Sequence, residues 1–182
     1  MKRFIIFICL LFTISCAYSQ EHLEFRDIPI NGSIKTFVKK LKKQGYKEYE
    51  NKGTYRSLTG RFAVKDAFIS VYGTEKTKTV WKVCVIFGLY ETWQKLRTDY
   101  LELKELYISK YGNPTKEYDF IAPEYVGKEF EAIKNEKGAY GVFFEIPNGS
   151  IYMLIDAGGA IVVTYEDNVN GDLFSKEKLD GI

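Results

Sequence analysis

Glu145, Asp156 and Glu166 are the residues of this chain with the most obvious capacity for chemistry. They end or nearly end the last three apolar segments, Tyr140 to Ile146, Ile151 to Asp156 and Ala160 to Glu166. If those segments are neighbouring strands, the three carboxylates meet across one sheet. Two carboxylates suffice for glycoside hydrolysis when one is held protonated. The plainer reading is that they are solvated acids at strand ends, and it is the one adopted. The chain is therefore expected to be no enzyme, with a carboxylate-dependent glycan or peptidoglycan hydrolase as the alternative.

Other catalytic and metal chemistry is short of residues. His22 is the only histidine, and it lies so near the amino terminus that it is expected to be mobile. A mobile imidazole cannot serve a Ser/His/Asp or Cys/His triad. Transition metals lack their usual cluster of nitrogen and sulfur ligands. No GxGxxG, P-loop or EF-hand spacing occurs. No catalytic residue, cofactor or metal is expected.

Of the three cysteines, Cys9 and Cys16 fall in the first 19 residues and Cys84 lies inside the apolar run Val80 to Phe87. A lone thiol in such a run reads as a buried structural residue, although Lys82 shares its strand face.

The amino terminus reads as an export signal. Met1-Lys2-Arg3 precedes an apolar run from Phe4 to Phe12, and Ala17 and Ser19 suit cleavage before Gln20. Residues 1–19 are expected to be a signal peptide and the product periplasmic or secreted. The alternative is lipidation at Cys16, which would make an outer-membrane lipoprotein, but Thr13 fits a lipobox poorly. Residues 20–182 suffice for one ordinary domain. Lys2 and Arg3 leave with the signal, so the remaining 26 − 2 = 24 basic residues balance the 24 acidic ones. A neutral domain lacks the basic face that nucleic-acid binding needs, so no nucleic-acid partner is expected. No later segment is apolar and long enough to be transmembrane.

The chemistry-bearing residues must be positioned by helices and strands that the pattern marks out. Ser33 caps a helix in which Ile34, Phe37, Val38 and Leu41 recur at helical spacing. Thr92 caps a second, with Trp93, Leu96, Tyr100, Leu103 and Tyr107 on one face, stopped by Gly112 and Pro114. A shorter helix is expected from Glu124 to Asn135, with Val126, Phe130 and Ile133 inward. Strands are expected at Tyr55 to Val64 with Gly60 as a bulge or bend, at Phe68 to Tyr72, at Val80 to Phe87, near Lys116 to Ile121, and in the three last segments. Asn148-Gly149 marks a hairpin. Residues 168–182 read as a polar, loosely held tail.

Alternation assigns faces to these strands. Trp81, Val83, Val85 and Phe87 share one face, while Phe68, Ser70, Tyr72, Lys82 and Cys84 share the other. Helices covering one side leave the second open. Tyr72, Lys82 and Tyr152 are the partner-binding candidates on that open face, with Thr164 and Glu166 in the same setting. Such a mixed aromatic and charged surface suits a protein, peptide or glycan partner.

The two halves, 25–88 and 89–167, resemble one another. Each has a helix, then strands, closing on two apolar strands across a short turn, and Phe68 to Tyr72 matches Ile151 to Ile155. The expected fold class is α+β, with helices on one face of an antiparallel sheet in a tandem duplication of a helix-plus-meander unit. This architecture, with a helix ending Lys110-Tyr111-Gly112-Asn113-Pro114-Thr115, resembles the tandem β-lactamase-inhibitor-protein-like and SmpA/OmlA-like envelope domains. The stretch Phe25-Arg26-Asp27-Ile28-Pro29-Ile30-Asn31-Gly32, followed by Phe37 and Leu41, resembles a group of exported gut-bacterial proteins with no assigned function. The first resemblance implies a non-enzymatic binding module of the cell envelope and lends no functional residue. The remaining alternative is a structural lipoprotein tethered through Cys16.

Overall fold

The computed structural model describes residues 21–180. The expected signal peptide 1–19, the expected cleavage before Gln20 and the lipidation candidate Cys16 lie outside the described residues.

The architecture is α+β, as the pattern requires. Helix α1 (Ile34–Lys43) is capped by Ser33, whose hydroxyl accepts from Thr36 N. Helix α2 (Trp93–Tyr111) is capped in the same way by Thr92, which accepts from Lys95 N. Each cap satisfies an amide that the first helical turn leaves without a partner. Ile34, Phe37, Val38 and Leu41 of α1 and Trp93, Leu96, Tyr100, Leu103 and Tyr107 of α2 are all buried.

These helices lie on one face of an eight-stranded antiparallel sheet. Its strands are β3 (Lys47–Asn51), β4 (Tyr55–Phe62), β5 (Lys65–Gly73), β6 (Val80–Phe87), β7 (Lys116–Ile121), β8 (Gly138–Ile146), β9 (Gly149–Ile155) and β10 (Ile161–Asp167). Their spatial order is β3-β4-β5-β6-β10-β9-β8-β7. Each half of the chain thus gives a leading helix followed by four strands of a meander, and the meanders join edge to edge where β6 pairs antiparallel with β10. A two-stranded ribbon, β1 (Glu24–Phe25) with β2 (Ile28–Pro29), precedes the first unit.

Core residues alternate as period two demands. Ile69 and Val71 of β5, Val83 and Val85 of β6, Ile151 and Met153 of β9 and Ile161 and Val163 of β10 are fully buried. They form one hydrophobic cluster with α1 and α2 that spans both halves. Within it the sequence match of the halves slips by one: Ile69 faces the core, whereas Tyr152, its counterpart in the match, faces away. Leu154 likewise belongs to the open face, and the fully buried Met153 fills the core position.

Two glycines are fixed by close approach. A Cβ on Gly60 would lie 2.4 Å from the Tyr46 ring, so Gly60 sits in unbroken register opposite Ala67, with neither bulge nor bend. A Cβ on Gly149 would lie 2.2 Å from the Glu166 carbonyl oxygen. Gly149 accordingly begins β9 opposite Ile146, and the hairpin turn is Pro147-Asn148.

Three other expectations change. The third helix is confined to α3 (Glu129–Lys134), after a 3-10 turn at Pro123–Tyr125. Gly127 has φ +85° between them, and Val126 is left exposed while Ile133 is buried. Residues 168–179 are no loose tail: Asn168–Leu179 is helix α4, capped by Asp167, which accepts from Asn170 N. Finally, β6 carries a bulge against β5, because Tyr72 pairs with Lys82 while Gly73 pairs with Val80. The extra residue is Trp81, and a bulge of this kind re-aims one side chain. Trp81 leaves the core face and stands beside Lys82, whose Nζ is 4.4 Å from its ring centroid.

Candidate functional site

Strand register lays the open face out in rows. One row runs Tyr55, Tyr72, Lys82, Glu166, Ser150 and Glu145; the next runs Ser57, Ser70, Cys84, Thr164, Tyr152, Phe143 and Lys116. The three binding candidates become a continuous array through Glu166. Lys82 Nζ lies 4.9 Å from the Tyr72 ring centroid and 3.7 Å from Glu166 Oε1. Tyr152 donates its hydroxyl hydrogen to the same oxygen over 3.3 Å. Tyr55 packs on Tyr72, ring centroids 5.2 Å apart. Phe174 of α4 stacks on Trp81 and walls off one end.

The array is polar but holds its protons. Burial, followed by the neighbouring Glu166 charge, pushes the Tyr152 phenol up to about 12 against the hydrogen bond from Thr164. Burial also raises Tyr72. Both are neutral donors over the physiological range. Burial raises the Cys84 thiol as well, and the nearby Lys82 lowers it by less. Its Sγ lies 3.4 Å from Thr164 Oγ1. A thiol so held is protonated and a poor nucleophile.

Beyond Tyr152 the face becomes concave. A hollow of about 740 Å³ lies over β7, β8 and β9. Gly141 and Ala139 leave its floor low, and Tyr118, Phe120, Phe143, Tyr152 and Leu154 rise around it. Tyr118 and Phe120 are 54% and 52% exposed, a large aromatic surface without internal cover. These two were not among the sequence candidates. Their alternation along Lys116 to Ile121 was readable, but the small residues opposite them become visible only once β7 is paired with β8.

The three carboxylates are not gathered. Glu145 and Glu166 occupy one row with Ser150 between them, so their strands are about 10 Å apart. Asp156 lies at the other end of β9 and is occupied by its own turn, accepting from Gly158 N at 2.9 Å and Ala160 N at 2.8 Å. The hollow reaches Asp156 but neither glutamate.

His22, expected to be mobile, is tied down. Asp167 is buried and accepts from Leu23 N and Asn170 N, each at 2.8 Å. A carboxylate only accepts, so His22 Nδ1 carries the hydrogen it donates to Asp167 over 3.1 Å. Asn31 Nδ2 donates to His22 Nε2 over 2.7 Å. This occupies the nitrogen that a general base would need free. The imidazole fastens the amino-terminal segment to the start of α4.

Among the described residues, no group of three or more His, Cys, Asp and Glu side chains is disposed to hold a metal ion. No described helix is long and apolar enough to cross a membrane. Comparisons with protein-family models, curated proteins and solved structures give no match.

Proposed function

We propose that this chain is an exported, non-enzymatic binding module of the cell envelope that holds a protein, peptide or glycan on the open face of its sheet. The observation that carries the reading is the continuity of the Tyr72–Lys82–Glu166–Tyr152 array with the aromatic hollow. Apolar concavities with a few convergent polar groups are the usual form of binding sites. Exposed aromatics in such places tend to dominate binding energy. A carboxylate hydrolase needs two acids flanking one bond in a cleft. Here the hollow reaches neither Glu145 nor Glu166, Asp156 is taken up by its own turn, and Glu166 by Lys82 and Tyr152. Tethering through Cys16 is the alternative to free secretion and is compatible with the same face.

The test is a binding screen on immobilised extended peptides and cell-wall glycan fragments, read for both retention and turnover. Tyr118→Ser and Tyr152→Ala should each weaken retention about tenfold while the fold persists by circular dichroism. Unchanged retention in both variants would sink the reading. Release of new reducing ends, lost in Glu166→Gln, would replace it with the hydrolase.

A further inference from the structure

We infer that strand β7 is the docking edge of the module: it adds an extended partner segment to the sheet, one that alternates basic with apolar side chains. This deepens the open-face reading and rests on it.

The two edges of the sheet are built differently. At β3 the register with β4 shifts between Glu48 and Glu50. Its acids are engaged: Glu48 with Arg56 at 2.6 Å and Lys42 at 3.2 Å, Glu50 with Lys52 at 2.7 Å. A bulge and locked charges are how native sheets blunt an edge against pairing. Strand β7 has no bulge, and its ion-paired acid, Glu117, is held by Lys104 without being covered. Its six residues pair with β8 in unbroken register from Lys116↔Phe143 to Ile121↔Gly138. Lys116 to Phe120 are all exposed. Such an edge offers a row of N–H and C=O groups ready to pair with another strand.

Side chains on β7 then state what the added strand must carry. Toward the open face stand Tyr118 and Phe120, opposite Gly141 and Ala139 and rimming the hollow. A residue directly across an added strand would come within about 5 Å of each ring, so apolar side chains there would cover both rings and enlarge the apolar floor. Toward the helix face stand Glu117 and Asp119, paired across β8 with Val142 and Tyr140. Lys104 of α2 binds Glu117 from behind, yet that carboxylate side chain remains 41% exposed. Asp119 is exposed as well. Opposite charges across a strand pair stabilise it and like charges oppose it. The added segment therefore presents Lys or Arg on this side.

The same charges disfavour a second copy of the chain as occupant. A two-fold pairing centred on Tyr118 would set Glu117 against Asp119 of the copy. One centred on Asp119 would set that residue against itself. Both place acid opposite acid, so the edge favours a foreign strand of opposite sign.

The probes are three fluorescein-labelled ten-residue peptides: alternating lysine and valine, alternating glutamate and valine, and lysine and valine in two blocks. Binding is read by anisotropy, and the site by hydrogen exchange of the intact protein. The alternating basic peptide should bind at least about tenfold tighter than the other two, with new amide protection concentrated at 116–121. Glu117→Lys combined with Asp119→Lys should reverse the preference between the basic and acidic alternating peptides. Three results would overturn the inference. Equal binding of all peptides would show that neither alternation nor charge is read. Unprotected β7, while the open face still retains ligands in a Tyr152-dependent manner, would remove the edge and leave the proposed function. Self-association through β7 in sedimentation would make the second copy its occupant. If the open face retains nothing and β7 stays unprotected, both readings fall together.

Discussion

Phe174 lies flat on Trp81, ring centroids 4.2 Å apart and planes 11° from parallel. The stack joins α4 to the bulge in β6 and explains why a polar segment folds against the sheet. Around it, Asn170 Nδ2 donates to the Ile30 and Val80 carbonyls at 2.8 and 3.0 Å. Glu177 accepts from Lys76 N, Thr77 N and Thr77 Oγ1, holding the β5–β6 loop. Helix α4 is thus one wall of the open face.

Phe174→Ala should lower stability by about 1–3 kcal/mol in urea denaturation, less than a full core aromatic because the ring is half-buried. Trp81 fluorescence should shift to the red as its ring meets water. An unchanged midpoint would return residues 168–179 to the loose tail that composition suggests.

Leu96 and Leu106 sit on the same helix with opposite fates, 0% and 59% exposed. Leu96→Ala should cost about 2–5 kcal/mol, since it removes a side chain packed between α2 and the sheet. Leu106→Ala should stay within about 0.5 kcal/mol of the parent. Similar losses at both positions would contradict the orientation of α2.

Tyr100 is buried with its hydroxyl lacking a partner among the described residues. Burial, with the nearby Glu117 and Asp119 charges, holds its phenol well above the ordinary value. An unpaired buried hydroxyl costs roughly 1–3 kcal/mol of desolvation. Tyr100→Phe should therefore be neutral or gain up to about 1 kcal/mol. A loss above that would mean the hydroxyl is hydrogen-bonded in solution.

The sheet was legible because period-two alternation is a direct image of burial: Val83 and Val85 point one way, Lys82 and Cys84 the other. Trp81 was misplaced because a bulge breaks that period, and nothing local in Val80-Trp81-Lys82 announces one. The short Lys47–Asn51 strand was missed because its residues are polar or exposed, and an edge strand need bury little. Helix α4 escaped for a related reason. Its hold on the fold comes from Asn170, Glu177 and one aromatic, none of which makes an apolar stripe. His22 was judged by its place in the chain, whereas a buried Asp167 145 residues away fixes it. Of the candidate site, Tyr72, Lys82 and Tyr152 were legible through alternation. Their linkage through Glu166 depends on β6 lying beside β10, a pairing between the halves that local pattern does not encode.

The open-face array also makes an alkaline prediction. Tyr152 titrates near 10 when unfolded and is pushed up to about 12 in the fold, by burial first and then by Glu166. A raised acid binds its proton more tightly when folded, so its contribution is complete below about pH 10 and is lost as pH rises through about 12. Tyr72 and the buried Tyr165 shift in the same direction, so the wild type should weaken steadily across that window. Tyr152→Phe removes one share of this dependence together with the hydrogen bond to Glu166. Urea midpoints measured from pH 8 to pH 12 should therefore place the variant below the wild type at pH 8 and bring the two curves together toward pH 12. Lysine titration bends both curves alike and leaves their difference intact. Parallel curves across the whole range would mean that the fold does not raise the Tyr152 phenol. A variant as stable as the wild type at pH 8 would mean that Tyr152 does not bond Glu166 in solution, so that the link joining Lys82 to the aromatic hollow is lost.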